Sequence, residues 1–533
     1  MVKIKGECGI IIRGQAPKTA NLGGRKMYRK SDREQLMIED FIIPFGGKLD
    51  AENRWVKMAK LMPWETIEDL YAQNFKSDRT DGRPPYSARI AFGAIFIKEH
   101  ENLTDERTVG YISENPYMQY FLGLHEFTTE PLFDPSLMVS FRKRISAEDI
   151  SKVNEELYRR MSTITNNDDD KNNKNNDGST HNDNNTGNEN QSGDESSKNK
   201  GIMKVDATCA PSDIRYPQDL SLLNECRENT EKIIAYIWAR AGIQHGHMTD
   251  YNRKKARKAY LKIAKQRSPR RDTMRKAIGE QLEYLRKNQH KIAELLCITG
   301  FDILSEQQIK RLDVIGKIYE QQKEMYDNHT NKCEDRIISV RQPFVRVMVR
   351  GKAGKKYEFG QKLEFSVVDG FTFIERQEWD PYNESKGLIE CIERYRARTG
   401  VYPEAVQVDQ IYRTKENRAF CKEKGIRISG IPLGRPKKDE IEAHRERAYQ
   451  DSCERNEVES KNGISKRRYG LDLIMAYLDE TAKTEAALNV LAMNVAHCLR
   501  RLLRAYYYMR YTFDILDHCF LLSFMGRNCW FFS

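Results

Sequence analysis

At 533 residues the chain exceeds what one ordinary hydrophobic core supports, and roughly two to four domains are expected. Its net charge of +11, with 31% charged residues, favours a polyanionic partner. Eleven cysteines include no Cys-x-x-Cys and no His pair at zinc-finger spacing, which argues against a disulfide framework or structural zinc and makes a reducing cytosol the expected compartment. No run of 18 uncharged apolar residues is present, so no membrane span is expected, and the N-terminal apolar run is too short for a signal peptide.

Residues 1–26 are basic and Gly-rich without periodicity, a flexible lead-in. Residues 27–163 carry helical patterns. Trp55, Val56, Met58, Leu61 and Trp64 open one, and Ser87 is placed to cap a helix over 88–100. A third spans about 105–121, with Val109, Ile112, Tyr117 and Phe121 inward and Pro116 kinking or splitting it. Asp134-Pro-Ser136 precedes a last pair that carries Arg142, Lys143 and Arg144. Short helices ending in a basic one are compatible with a helical DNA reader, and these three residues are its expected DNA contacts. A helical bundle with an ordinary solvated face remains the alternative.

Residues 164–200 form an Asn/Asp-rich linker, and from 166 onward they hold no aliphatic, Met, Ala or Cys residue. Such a stretch cannot bury enough surface to offset its ordering entropy. A strand at 202–206 follows and ends on Asp206. Residues 226–335 then read as an inserted basic helical region. Ten basic residues fall between Arg253 and Arg271, among them Lys254, Lys255, Arg257 and Lys258, with few acids at helical spacing to neutralise them. A patch of this density grips phosphates without sequence preference. Strands at 362–368 and 371–376 flank Asp369-Gly370, a strong hairpin signal. A helix ending at Gly400, a strand ending on Asp409, a helix over 414–424 and a short strand at Ile426–Ile428 complete a mixed-sheet α/β domain over 201–225 and 336–510. The apolar stretch 511–533 is interrupted by charges and reads as a tail.

Three carboxylates stand out. Asp206 and Asp409 close strands, and Glu459 lies in a helical pattern. Short rigid ligands at strand ends and a longer helical one suit a pair of hard divalent cations. At 100° per residue Arg455 and Lys466 lie within about 40° of Glu459, so both flank it, whereas Glu457 points about 160° away. Asp and Glu total 78, so pattern alone leaves chance placement open. Gly351-Lys-Ala-Gly-Lys355 lacks phosphate-loop spacing, and His245-Gly-His247 has no third ligand nearby.

Several stretches sharpen the reading: Lys204-Val-Asp-Ala-Thr-Cys-Ala-Pro-Ser-Asp-Ile-Arg-Tyr-Pro217, Val349-Arg-Gly-Lys-Ala-Gly354, Ile411-Tyr-Arg-Thr-Lys-Glu-Asn417, Pro432-Leu-Gly-Arg-Pro436, Lys466-Arg-Arg-Tyr-Gly-Leu471, Phe45-Gly-Gly-Lys-Leu-Asp50 and Asn53-Arg-Trp-Val56. Together they resemble a bacterial insertion-sequence DDE transposase of the IS-five type, over most of 27–505. The resemblance implies an RNase H-like catalytic domain, with Asp206, Asp409 and Glu459 as catalytic, metal-binding triad and Arg455 and Lys466 as accompanying DNA-contacting residues. It further implies two Mg²⁺ ions (Mn²⁺ substituting), cleavage at the element's ends, and strand transfer of the freed 3′-hydroxyl. The implied partners are double-stranded DNA at the ends and the target, and a second copy of the chain, in a cytoplasmic, nucleoid-associated setting without a membrane. The chain departs from its relatives at Val458-Glu-Ser-Lys-Asn-Gly463, where they read Val-Glu-Gly-Lys-Phe-Gly, and at Ser452, where they carry Tyr. Relatives begin near Met27, so 1–26 reads as an upstream extension. A catalytically inactive, transposase-derived DNA-binding protein is the alternative function.

Overall fold

The computed structural model describes residues 35–75, 85–173, 199–242, 247–349, 356–430 and 441–528, the backbone alone at 45, 164–173 and 506–528. The lead-in at 1–26, most of the linker, His245, most of the loop at 349–355 and the motif at 432–436 lie outside the described residues.

Among the described residues before the linker there are seven α-helices: α1 (Arg54–Leu61), α2 (Trp64–Gln73), α3 (Ala88–Glu101), α4 (Asp105–Glu114), α5 (Pro116–Phe121), α6 (Leu137–Lys143) and α7 (Ala147–Asn173). Their starts follow from local chemistry. Ser87 accepts a hydrogen bond from the Ile90 amide to cap α3. Pro116 splits the expected third helix because the residue before a proline is driven out of the helical region. Asn115 is accordingly extended and caps α5 through the amides of Tyr117 and Met118. Trp55 and Trp64 both meet the ring of Phe121, at 5.2 and 5.1 Å, and anchor the interior. Val109, Ile112 and Phe121 are buried as their spacing predicts, and Tyr117 is partly so.

The sheet has six strands: β1 (Ile202–Pro211), β2 (Arg346–Val349), β3 (Tyr357–Val368), β4 (Phe371–Glu378), β5 (Ala405–Gln407) and β6 (Arg427–Ile428). The path runs β4–β3–β1–β5–β6, with β2 pairing the Tyr357–Gly360 end of β3. β1 is antiparallel to β3 and parallel to β5, and β5 is parallel to β6. Asp369 and Gly370 turn the β3–β4 hairpin with φ of 51° and 80°, the two positive values that match strand twist. The parallel pairs need crossovers, supplied by α12 (Leu388–Thr399) and α13 (Lys415–Glu423).

Between β1 and β2 lie α8 (Asp219–Arg240), α9 (Arg253–Ala264), α10 (Arg271–Thr299) and α11 (Glu306–Asp327). They bury small clusters of their own, such as Ile233, Ile237, Ile292 and Leu295. Two long helices close the described residues: α14 (Ile441–Arg468) and α15 (Asp479–Asn528), the latter continuing into the expected tail as far as Asn528. No described helix is long and apolar enough to cross a membrane. The whole is mostly helical around a mixed sheet, an α/β architecture.

The helices before the linker pack directly on the sheet after it. One hydrophobic core runs from Trp55 and Phe121 through Leu157 to Val205, Phe371 and Leu491. α7, which runs ten residues past the expected boundary at 163, sets Tyr158 edge-on to Phe371 and Phe373. Polar ties fix the same seam. Asn494 of α15 donates to Asn154 of α7 and to the Thr372 carbonyl, and accepts from the Thr372 amide, at 2.7–3.0 Å. The composition break therefore separates the two halves in sequence but not in packing.

Candidate active site

Asp206 sits in the middle of β1 rather than at its end. The strand continues to Pro211 because β3 pairs with it throughout, Asp206 opposite Phe365. What ends near Asp206 is the parallel partner: the last β1–β5 pair is Lys204 with Gln407. Asp206 and Asp409 each stand two residues beyond that pair, at the edge where the sheet opens. Asp409 is exposed, and its carboxylate accepts from the Gln410 amide at 2.8 Å, capping a short turn at 410–412.

α14 crosses this end of the sheet. Asp451, Val458, Lys461 and Ser465 form its buried stripe. Arg455, Glu459, Asn462 and Lys466 follow on one flank of that stripe, and Glu457 on the other. Contacts to the sheet agree with these angles. Asn462 donates to Asp206 Oδ2 at 2.9 Å, whereas Glu457 takes Lys204 at 2.6 Å and Glu454 takes Gln407. The expectation that Glu457 points away from Glu459 thus has a structural counterpart: Glu457 is an anchor to β1. Glu459 is half-exposed and ion-paired to Arg455 at 3.0 Å. Lys461 is buried and donates to the Gly370 carbonyl at the hairpin turn, pinning the helix two residues beyond Glu459.

The electrostatics of Asp206 fit a cation site. Burial pushes its carboxyl up to about 6, and the nearby carboxylates of Glu384 and Glu459 push the same way, while the Ala207 amide and Arg455 oppose them. A cation would relieve that excess of negative charge, and every donor here is a hard oxygen. The buried Asn462 Oδ1 accepts no hydrogen bond from any described residue. Among the described residues, no three His, Cys, Asp or Glu side chains stand close enough together to ligate one ion, Asp409 and Glu459 being held by Gln410 and Arg455.

Glu364, Glu384 and Asn462 were not singled out by the sequence. Glu364 is fully buried on β3, accepts from Tyr412 at 3.0 Å, leaves Oε2 unpartnered and is raised to about 7 by burial. Nothing in its strand distinguishes it from other acids. Asn462 was reachable, because a residue three beyond Glu459 shares its helical face.

The expected DNA contacts divide sharply. Arg142 makes a bidentate pair with Asp105 at 2.7 Å, and Arg144 lies over the Phe75 ring at 4.8 Å and reaches Tyr71. Both are engaged inside the fold, so of that cluster Lys143 alone is exposed. In contrast Lys254, Lys255, Arg257 and Lys258 on α9 are all exposed and make no ion pair with any described residue. Ala256 and Tyr260 turn inward and seat the helix, and Tyr251 serves structure by donating to Glu231 at 2.7 Å.

Two family profiles match the chain: a transposase domain (DUF772) over 44–144 and a transposase DDE domain over 406–496. The first covers α1–α6, and the second spans Asp409, α14 and the start of α15. The uncharacterized protein ORF8 in the nfe locus of Rhizobium meliloti is 31% identical over 113 residues, 20% of this chain and 53% of that protein. The chain thus spans about half the length of the curated relative it matches. No solved structure matches it. The two matches, in this order and on these elements, support an insertion-sequence DDE transposase.

Proposed function

We propose that the chain cuts DNA at the ends of its own insertion sequence and transfers the freed 3′-hydroxyl into target DNA, using Asp206, Asp409 and Glu459. One observation carries this reading: Asp206 and Asp409 follow the last β1–β5 pair by the same two residues, and Asp206 meets the α14 flank that bears Arg455, Glu459 and Lys466. The strand path, three antiparallel strands followed by two parallel ones, supports an RNase H-like catalytic domain. Divalent cations, Mg²⁺ or Mn²⁺, held by the three carboxylates would supply Lewis-acid activation of water or a 3′-hydroxyl and charge stabilisation at phosphorus.

The side chains do the rest. Arg455 holds Glu459 and releases it toward the site when its guanidinium is drawn to a phosphate. Lys466, on the same flank, faces the same DNA backbone. The exposed cations of α9 grip flanking or target duplex, Lys143 contributes from the N-terminal helices, and those helices read the ends. Joining two ends calls for two active sites, hence at least a dimer on DNA.

The test is cleavage of duplexes carrying the DNA that flanks this reading frame, with Mg²⁺ or Mn²⁺, comparing wild type, Glu459→Gln and Glu457→Gln. Strand-specific cuts at the boundary, lost in Glu459→Gln and kept in Glu457→Gln, are expected. Folded wild type that binds the ends without cutting would leave only a DNA-binding protein.

A further inference from the structure

Asn462 is bonded on one side only. Its Nδ2 donates to Asp206 Oδ2 at 2.9 Å, while its Oδ1 is buried and accepts nothing from the described residues. The orientation of the amide is set by chemistry: an ionised carboxylate only accepts, so the NH₂ must face Asp206. A buried acceptor left without a partner is costly, and this one belongs to the amide that holds Asp206. The position of Asn462 is fixed from both sides. Val458 and Ser465 seat α14 on the sheet, and buried Lys461 ties the adjacent residue to the β3–β4 turn.

We propose that Asn462 is a positioning residue for the metal site. Its amide clamps Asp206 Oδ2 and so fixes the carboxylate's orientation, leaving Oδ1 as the oxygen for a cation, with the unpartnered Asn462 oxygen on the same amide as a further hard donor. A second partner that orients a ligating carboxylate typically governs metal affinity by ~10–100-fold. The inference rests on the assignment of Asp206 as a metal ligand.

Mn²⁺ binding to the full chain without DNA, followed by the loss of the free Mn²⁺ paramagnetic resonance signal, tests it. Asn462→Leu keeps the side-chain shape and removes both polar atoms, so its Mn²⁺ affinity should fall by ~10–100-fold with the melting temperature nearly unchanged. Asn462→Ser, which retains a short donor, should fall between Asn462→Leu and wild type. Asp206→Asn separates the two ways of being wrong. Wild-type affinity in Asn462→Leu together with lost binding in Asp206→Asn overturns the role of Asn462 and keeps the site. Unchanged binding in both removes the Asp206 site, and the role of Asn462 with it.

Discussion

The body of the molecule and the helical arm inserted into it are built on opposite plans. In the body, N-terminal helices, sheet and α15 share one core, and the Asn154–Asn494–Thr372 ties lie 5% exposed or less on their asparagines. In the arm, α8 to α11 divide their apolar residues among small clusters and keep a buried polar knot of their own, Arg227 with Glu231, Asn224 and Gln281. The body thus gains rigidity around Asp206 and α14. The arm keeps its outer face free, and the unneutralised cations are found there. Rigidity is invested where geometry decides chemistry, and exposure where only charge is needed.

Replacing Lys254, Lys255, Arg257 and Lys258 together by Ala should weaken duplex binding and leave cutting at saturating DNA intact. If all four meet phosphates, the log–log salt slope should become shallower by about 3–4, as titrations at several salt concentrations would show. An unchanged slope would move the phosphate grip elsewhere.

Matched polar deletions should behave differently in the two regions. Asn494→Ala leaves the Thr372 amide and Asn154 Oδ1 buried without these partners, although Asn154 still donates to the Thr372 carbonyl, and should cost about 2–4 kcal/mol. Hydrogen exchange is expected to rise together in α7, β4 and α15. Arg227→Ala removes the buried counter-ion of Glu231, leaving it the Tyr251 hydroxyl, and should cost about 3–5 kcal/mol, with faster exchange confined to α8 and α10. Spread of the second effect into β1 and β3 would mean that arm and body unfold as one.

A smaller effect concerns acid. His497 of α15 lies against the hairpin turn, with Lys461, Arg500 and Arg501 around it, and burial followed by these cations lowers its pKa to about 4. The unfolded chain therefore binds a proton that the folded chain refuses. Stability should be full above about pH 6.5 and decline as pH falls toward 4, by about 1–2 kcal/mol once residual solvent access is allowed for. Melting curves of His497→Asn should lack that part of the decline.

Much of this was legible in the chain. Asp369-Gly370, Ser87, Gly400 and Pro116 each impose a local conformation, and each element formed where they indicate. The helical face shared by Arg455, Glu459 and Lys466 was also derivable, since it depends only on the 100° step. Long-range partners were not. Arg142 and Arg144 look like their neighbours on α9 in sequence, yet Asp105 and Phe75, distant in the chain, absorb them. The unusual Asn462 was visible as a departure, but its bond to a residue 256 positions away was not. The seam of α7 on α15 escaped for the same reason, because a composition break reports where a chain lacks apolar residues and says nothing of what its flanks pack against.

Gly360 gives the arm a further property. Its backbone is paired with Pro211 on one side and Arg346 on the other, and a side chain there would strike the Ala210 carbonyl. The chain therefore leaves the sheet and rejoins it two strand spacings apart, roughly 10 Å. About three extended residues bridge such a gap. The arm is in effect a cartridge on a narrow double neck. Its replacement by a short linker should therefore leave the register of the strand that carries Asp206 unshifted, and on the proposed function target grip and reaction chemistry would be free to evolve on separate schedules.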